Sequence, residues 1–131
     1  MTNQELLSLA KDAMQKSYSP YSNFKVGAAL LCKDGKVFCG CNIENASYSP
    51  TNCAERTAFF KAVSDGYIEF DKIAIVGGLD GQIDKMCSPC GVCLQVMSEF
   101  CNDNFIVVMT DKNQEIYEKK LCELLPHSFS L

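Results

Sequence analysis

The dipeptide Asp34-Gly35 lies between two apolar runs, Val26 to Cys32 and Lys36 to Ile43. Asp-Gly takes up the left-handed backbone of a tight turn at little cost, so the pattern predicts two antiparallel strands joined by a two-residue hairpin. A hairpin has two apolar faces to cover, and the flanking segments supply the covers. Before it, Thr2 to Ser17 reads as an amphipathic helix: Thr2 and Glu5 have capping-box spacing, and Leu6, Leu9, Ala10, Ala13 and Met14 form one stripe. After it comes a polar loop, Glu44 to Asn52, and then helical spacing at Ala54, Ala58, Ala62 and Val63 that ends near Gly66. Ile73 to Val76 suits a buried strand stopped by Gly77-Gly78. Ser88-Pro89 offers an N-cap and a first-turn proline to a helix carrying Val92, Val96, Met97 and Phe100. Phe105 to Met109 is a further buried strand, and the tail from Asp111 reads as a weak strand followed by Leu121 to Leu125. A hairpin followed by alternating helices and strands predicts an α/β fold, a three-layer α/β/α sandwich around a mixed sheet of about five strands.

No repeat, linker or compositional break interrupts residues 1–131, which therefore read as one domain. A chain of this size exposes ~21,000 Å² unfolded and ~6,900 Å² folded, enough burial for a core without staples. Apolar residues at 47% against 21% charged exclude a disordered chain. Lys and Arg number 12 against 16 Asp and Glu, a net charge of −4. Such a surface does not gather nucleic acid or anionic membrane, so neither is an expected partner. No apolar run approaches the ~20 residues of a membrane span, and Met1-Thr2-Asn3-Gln4-Glu5 has no basic stretch to mark it for secretion. Nine cysteines, an odd number without an export signal, point to reduced thiols and a cytoplasmic location.

Two cysteine-bearing segments combine into a site: Asn52-Cys53-Ala54-Glu55-Arg56 and Ser88-Pro89-Cys90-Gly91-Val92-Cys93. The stretch between them is long enough for a helix, a strand and a loop to bring the second back beside the first. Both stand where helix N-termini are expected, and the free N–H groups and dipole there favour thiolate over thiol. Cys53, Cys90 and Cys93 make a soft ligand set for zinc, and three ligands rather than four leave a position for water, the arrangement of a catalytic site. Glu55, close to the metal without ligating it, can take a proton from that water and pass it on, general acid–base work of ~10²–10⁴ in rate. Three thiolates would leave the centre net negative; Arg56, the single arginine of the chain, can donate to their sulfurs and draw off charge.

Each residue also has an ordinary explanation. Cys90-x-x-Cys93 occurs in thiol-redox motifs and half-formed zinc knuckles. Glu55 can complete a capping box with Asn52, and Arg56 can be a solvated helix residue. Cys32, Cys39, Cys41, Cys101 and Cys122 are assigned to packing, as is Cys87, which is also the one possible fourth ligand. A structural zinc or thiol-redox module is thus the non-enzymatic alternative.

Cys53-Ala54-Glu55 followed by Pro89-Cys90-x-x-Cys93 resembles the all-cysteine zinc deaminase signature. Phe24-Lys25-Val26-Gly27-Ala28-Ala29, Asn42-Ile43-Glu44-Asn45-Ala46-Ser47-Tyr48 and Leu124-Leu125-Pro126 before Phe129 are similar to the small cytidine deaminases over nearly the whole chain. The resemblance implies a mixed sheet between helices, one zinc per subunit, and a homotetramer with shared active sites. It implies hydrolytic deamination of cytidine and 2′-deoxycytidine to the uridine product and ammonia, in pyrimidine salvage. Cys53, Cys90 and Cys93 match the zinc ligands and Glu55 the proton shuttle. Asn42 and Glu44 match the ribose-binding pair, Phe24 the aromatic that packs on the pyrimidine, and Ala54 a backbone N–H donor to the ring carbonyl. Ala46, Tyr48 and Phe129 match positions that complete a neighbouring subunit's site. Leu94 stands where many relatives carry arginine, and Pro126-His127-Ser128-Phe129 is bulkier than the usual tail. A carboxylate at Glu44 suits a free 3′-hydroxyl and would repel a 3′-phosphate, which points to a nucleoside rather than a base within a strand. A deaminase for another cytosine compound, such as blasticidin S, is the alternative within the enzyme class.

Overall fold

A computed structural model describes residues 1–131. The elements in chain order are α1 (Asn3–Met14), β1 (Phe24–Cys32), β2 (Val37–Cys41), α2 (Ala54–Ser64), β3 (Phe70–Leu79), α3 (Gly91–Phe100), β4 (Ile106–Thr110), β5 (Ile116–Lys120) and α4 (Leu121–Leu124). The five strands form one sheet in the order β2-β1-β3-β4-β5. Only β3 and β4 are parallel; the other three pairings are antiparallel. The expected mixed five-stranded sheet is present, with helices on both faces.

Strand alternation divides the core in two. On one side Leu6, Leu7, Ala10 and Met14 of α1 pack on Ala29, Leu31, Ala74, Val76 and Val108. On the other, Ala58, Phe59 and Ala62 of α2 and Leu94 and Met97 of α3 pack on Ala28, Leu30, Ile73, Ile75 and Val107. The neighbouring positions of one strand thus feed opposite layers, as the two-residue period of β-structure requires. Phe59 anchors the second layer, its ring centroid 5.0 Å from that of Phe70, 6.1 Å from Phe105 and 6.3 Å from Phe100. Removing such a ring costs about 3–5 kcal/mol. Leu94 is buried in this layer, packed as an ordinary apolar residue.

The capping box at Thr2 and Glu5 forms as the spacing predicts. Four boundaries differ from expectation. The hairpin turn has three residues, not two: Gly35 N–H donates to the Cys32 carbonyl, Cys32 N–H pairs with Lys36, and Gly35 has φ of +98°. This is a tight turn followed by a left-handed residue, the other use of Asp-Gly in hairpins. β3 does not stop at Gly77-Gly78 but runs through them to Leu79, because Lys25 and Val26 continue the ladder opposite. α3 begins after Cys90 rather than Ser88: the Cys90 sulfur accepts the Cys93 N–H and takes the capping place. No capping box joins Asn52 to Glu55, since Cys53 is the N-cap of α2 and Asn52 donates to Thr57 instead.

β2 and β5 are the sheet edges. Along β2, the Lys61 ammonium of α2 donates to the carbonyl of Cys39. β5 carries Glu118, Lys119 and Lys120, and Asn3 donates to Glu118. No helix is long and apolar enough to cross a membrane.

Candidate active site

α2 and α3 lie on the same face of the sheet with their N-termini together, and each carries a cysteine as its N-cap. Cys53 caps α2, Cys90 caps α3, and Cys93 follows three residues later on the same side of α3. Their sulfurs all lie within 4.8 Å of one another. Cys53 Sγ is 3.8 Å from Cys90 Sγ, and Cys90 Sγ is 3.5 Å from Cys93 Sγ. A tetrahedral zinc with bonds of about 2.3 Å spaces its sulfur ligands ~3.8 Å apart, so the cluster has the size of three corners of a zinc site. The thiols are free, not disulfide-bonded.

The neighbouring Cys93 thiol, with Arg56 and Cys90 adding to it, pulls the Cys53 thiol down to about 5 against the opposition of burial. Cys93, beside Cys53 and itself buried, is pushed up. Arg56 Nη2 donates to Cys53 Sγ at 3.2 Å, the contact expected from sequence, while its Nε is buried without a partner. Burial works against the Arg56 charge, but the bond to Cys53 and the nearness of Cys93 outweigh it and hold the guanidinium firmly charged. Cys87 lies outside the cluster of three, and burial pushes its thiol up to about 12, so it stays protonated.

Glu55 occupies the second position of α2 and is 4% exposed. Burial, opposed by hydrogen bonding and assisted by the Cys53 charge, raises its carboxyl from the usual range to about 7. A carboxyl balanced near neutrality can both take and give a proton, and it stands beside the ligand set. Ala54, fully buried, is the first helical residue, where backbone N–H groups have no partner within the helix.

The residues expected from the sequence to bind substrate lie beyond the strand ends. Glu44 lines a cavity of about 430 Å³ with Tyr21, Ser22, Asn45, Tyr48 and Thr51. Its Oε1 accepts from the backbone N–H groups of Tyr21 at 3.0 Å and Ser22 at 3.2 Å, and its Oε2 accepts from the Ser22 hydroxyl. The Ser22 hydroxyl and these N–H groups hold the Glu44 carboxyl below the usual carboxylate range. Asn42 Oδ1 accepts from Val26 N–H at 2.9 Å and from the Ser17 hydroxyl, while Nδ2 donates to the Phe24 carbonyl at 2.8 Å. Its amide therefore also ties the start of β1 to the end of β2. Phe24 is half-exposed at the first position of β1. Ala46 and Tyr48 stand in an exposed loop, with Tyr48 75% exposed and packed edge-on against Tyr21. Phe129 is 68% exposed, and its carbonyl accepts from Gln95 of α3 at 3.4 Å.

Reasoning from sequence overlooked Tyr21 and Ser22, which hold Glu44 in place. Ser22-Asn23 could be read as turn-forming, but nothing local tells that Glu44 would reach it. Cys87, assigned to packing, does pack against the core, with its sulfur over Gly77.

Residues 1–109 match the family described as the cytidine and deoxycytidylate deaminase zinc-binding region. The chain belongs to that family. A cytidine deaminase of Sporosarcina psychrophila is 50% identical over 130 residues, 99% of this chain and 93% of the relative. The crystal structure of a cytidine deaminase from Burkholderia pseudomallei superposes with a TM-score of 0.90 at 49% identity, over 98% of this chain and 100% of the other. A blasticidin-S deaminase of Bacillus cereus is more distant, 31% identical over 134 residues, 98% of this chain and 94% of its own length. Zinc is the metal of this deaminase domain, and the three sulfurs have the chemistry and spacing to hold it.

Proposed function

We propose that this chain is a cytidine deaminase: a single catalytic domain that hydrolyses cytidine and 2′-deoxycytidine to the uridine product and ammonia. The observation that carries the reading is a buried carboxyl, Glu55, beside three converging thiols at two helix tips. Cys53, Cys90 and Cys93 would hold the zinc, which when bound supplies the Lewis acidity that brings the pKa of water toward ~7. Glu55 takes the proton of the attacking water at its carboxylate and delivers it to the ring nitrogen. It then moves the second proton to the departing amine, so that water adds at the ring carbon and ammonia leaves. The N–H of Ala54 faces the ring carbonyl, Phe24 packs on the base, and Asn42 with Glu44 meets the ribose hydroxyls.

Glu44 also supports a free nucleoside as substrate. Its fixed negative charge accepts from a hydroxyl and repels a phosphate at the same place. The net charge of −4 works in the same direction against polynucleotides. Ala46, Tyr48 and Phe129 stand exposed at the rim or on the tail, which supports a homotetramer in which each closes a neighbour's site. Nine cysteines, all free of disulfides, support a reducing compartment, and with it a cytoplasmic enzyme of pyrimidine salvage.

Glu55→Gln tests the reading. It keeps size and burial but cannot carry the proton, so zinc content and melting temperature should stay at parental values while turnover of cytidine falls by about 10²–10⁴. Ammonia release within a few-fold of the parent would reject Glu55 as the shuttle. Blasticidin S run beside cytidine separates the two substrate readings, and equal or faster turnover of blasticidin S would reject the nucleoside.

A further inference from the structure

We propose that Gly77 and Cys87 act together as positioning residues for the deamination: they fix the ring of Phe24, and through it the seat of the pyrimidine. This rests on the reading of Phe24 given above. Val26 and Gly77 are direct partners across β1 and β3, and Phe24, two residues before Val26, points to the same face of the sheet. That face carries α2, α3 and the thiol cluster. A Cβ placed on Gly77 would lie 2.8 Å from Cys87 Sγ, 3.1 Å from Val26 Cγ2 and 3.2 Å from Phe24 Cε1. Three side chains therefore converge on the one spot that the glycine leaves open, with no side chain of residue 77 standing between the sulfur and the ring.

Space, not backbone freedom, explains this glycine, because positive φ among the glycines is confined to Gly35, Gly66 and Gly81. The ring has room to be displaced. It is half-exposed, and a cavity of about 390 Å³ lined by Phe24, Leu79, Met86 and Cys87 lies beside it. Cys87 belongs to the segment that leads directly to Cys90, so the same stretch of chain that supplies a ligand also braces the aromatic. A methyl group at Gly77 must push the sulfur, the ring or both away.

The test is a double-substitution cycle on the full-length, zinc-loaded protein, with zinc content, KM and kcat for cytidine, and the Kd of uridine by calorimetry as readouts. Gly77→Ala should raise KM and the uridine Kd together, by about fivefold, with kcat within about twofold of the parent and zinc content unchanged. Adding Cys87→Ala removes the atom that the new methyl meets and leaves that methyl to fill the place of the sulfur, so it should bring both constants back to within about twofold. A purely structural role would lower the melting temperature without this KM-against-kcat split, and that result overturns the proposal. So does an absence of rescue in the double variant. Phe24→Ala is the control: if it leaves KM and Kd unchanged, the reading of Phe24 falls and the proposal with it. If Phe24→Ala raises both but Gly77→Ala raises neither, the proposal alone falls. Should Gly77→Ala fail to fold, Cys87→Ala in the parent decides, with a rise of about threefold in KM expected and an unchanged KM overturning the proposal.

Discussion

The two halves of the site are built on different principles. At the metal end, every group stands within two turns of a helix N-terminus packed against the sheet, and Cys93 and Glu55 are 1% and 4% exposed. At the end proposed to meet the ribose, Glu44, Ala46 and Tyr48 lie on a loop; hydrogen bonds from Tyr21 and Ser22 hold the half-buried Glu44, while Ala46 and Tyr48 are open to solvent. The bond-breaking chemistry needs groups that do not move and a low dielectric that shifts their protonation, so it is placed in the rigid layer. Recognition of a polar sugar, as proposed for the other end, needs hydrogen-bonding groups that can be reached, and a loop at the rim offers them.

Substitutions at the two ends should therefore separate stability, metal and affinity. Cys93→Ala strikes the buried end hardest: zinc by metal analysis and cytidine turnover should both drop to background, and retention of a full equivalent of zinc would mean that Cys93 is no ligand. Arg56→Gln leaves three sulfurs but removes the charge that balances them. A fall of about 10–100-fold in zinc affinity, measured against a competing chelator, is expected; unchanged affinity would leave Arg56 without an electrostatic role. Glu44→Gln acts at the open end, where KM for cytidine should rise about tenfold with zinc content and melting temperature unchanged. If Glu44→Gln instead lost zinc or unfolded the protein, the division between a rigid chemical end and an open recognition end would not hold.

Much of this was legible in the sequence because local rules and tertiary needs agree. The Thr2–Glu5 cap, the apolar stripe of α1, the hairpin at Asp34-Gly35 and the order of the later elements all follow from spacing. The pairing of Cys53 with Cys90 and Cys93 followed from residue type and the expected helix tips, and the sulfurs do meet. What sequence misjudged was decided by distant partners. Gly77-Gly78 looks like a strand end, but β1 continues opposite and carries the ladder through it. Ser88-Pro89 has the chemistry of a cap, yet a sulfur two residues later takes that place. Asn52 and Glu55 have capping-box spacing, but burial of Glu55 among the thiols removes it from that role. The clamp of Ser22 on Glu44 joins residues far apart in the chain, and no local pattern announces it.

The two outer strands of the sheet have a consequence for assembly. Lys61 occupies a backbone acceptor on β2, and β5 presents Glu118, Lys119 and Lys120. Both margins thus resist an incoming strand, so copies of this protein are steered away from fibril-like stacking through their sheets. Helix faces and loop surfaces are left as the ground for self-association, and exposed Phe60 of α2, Tyr48 and Phe129 stand there.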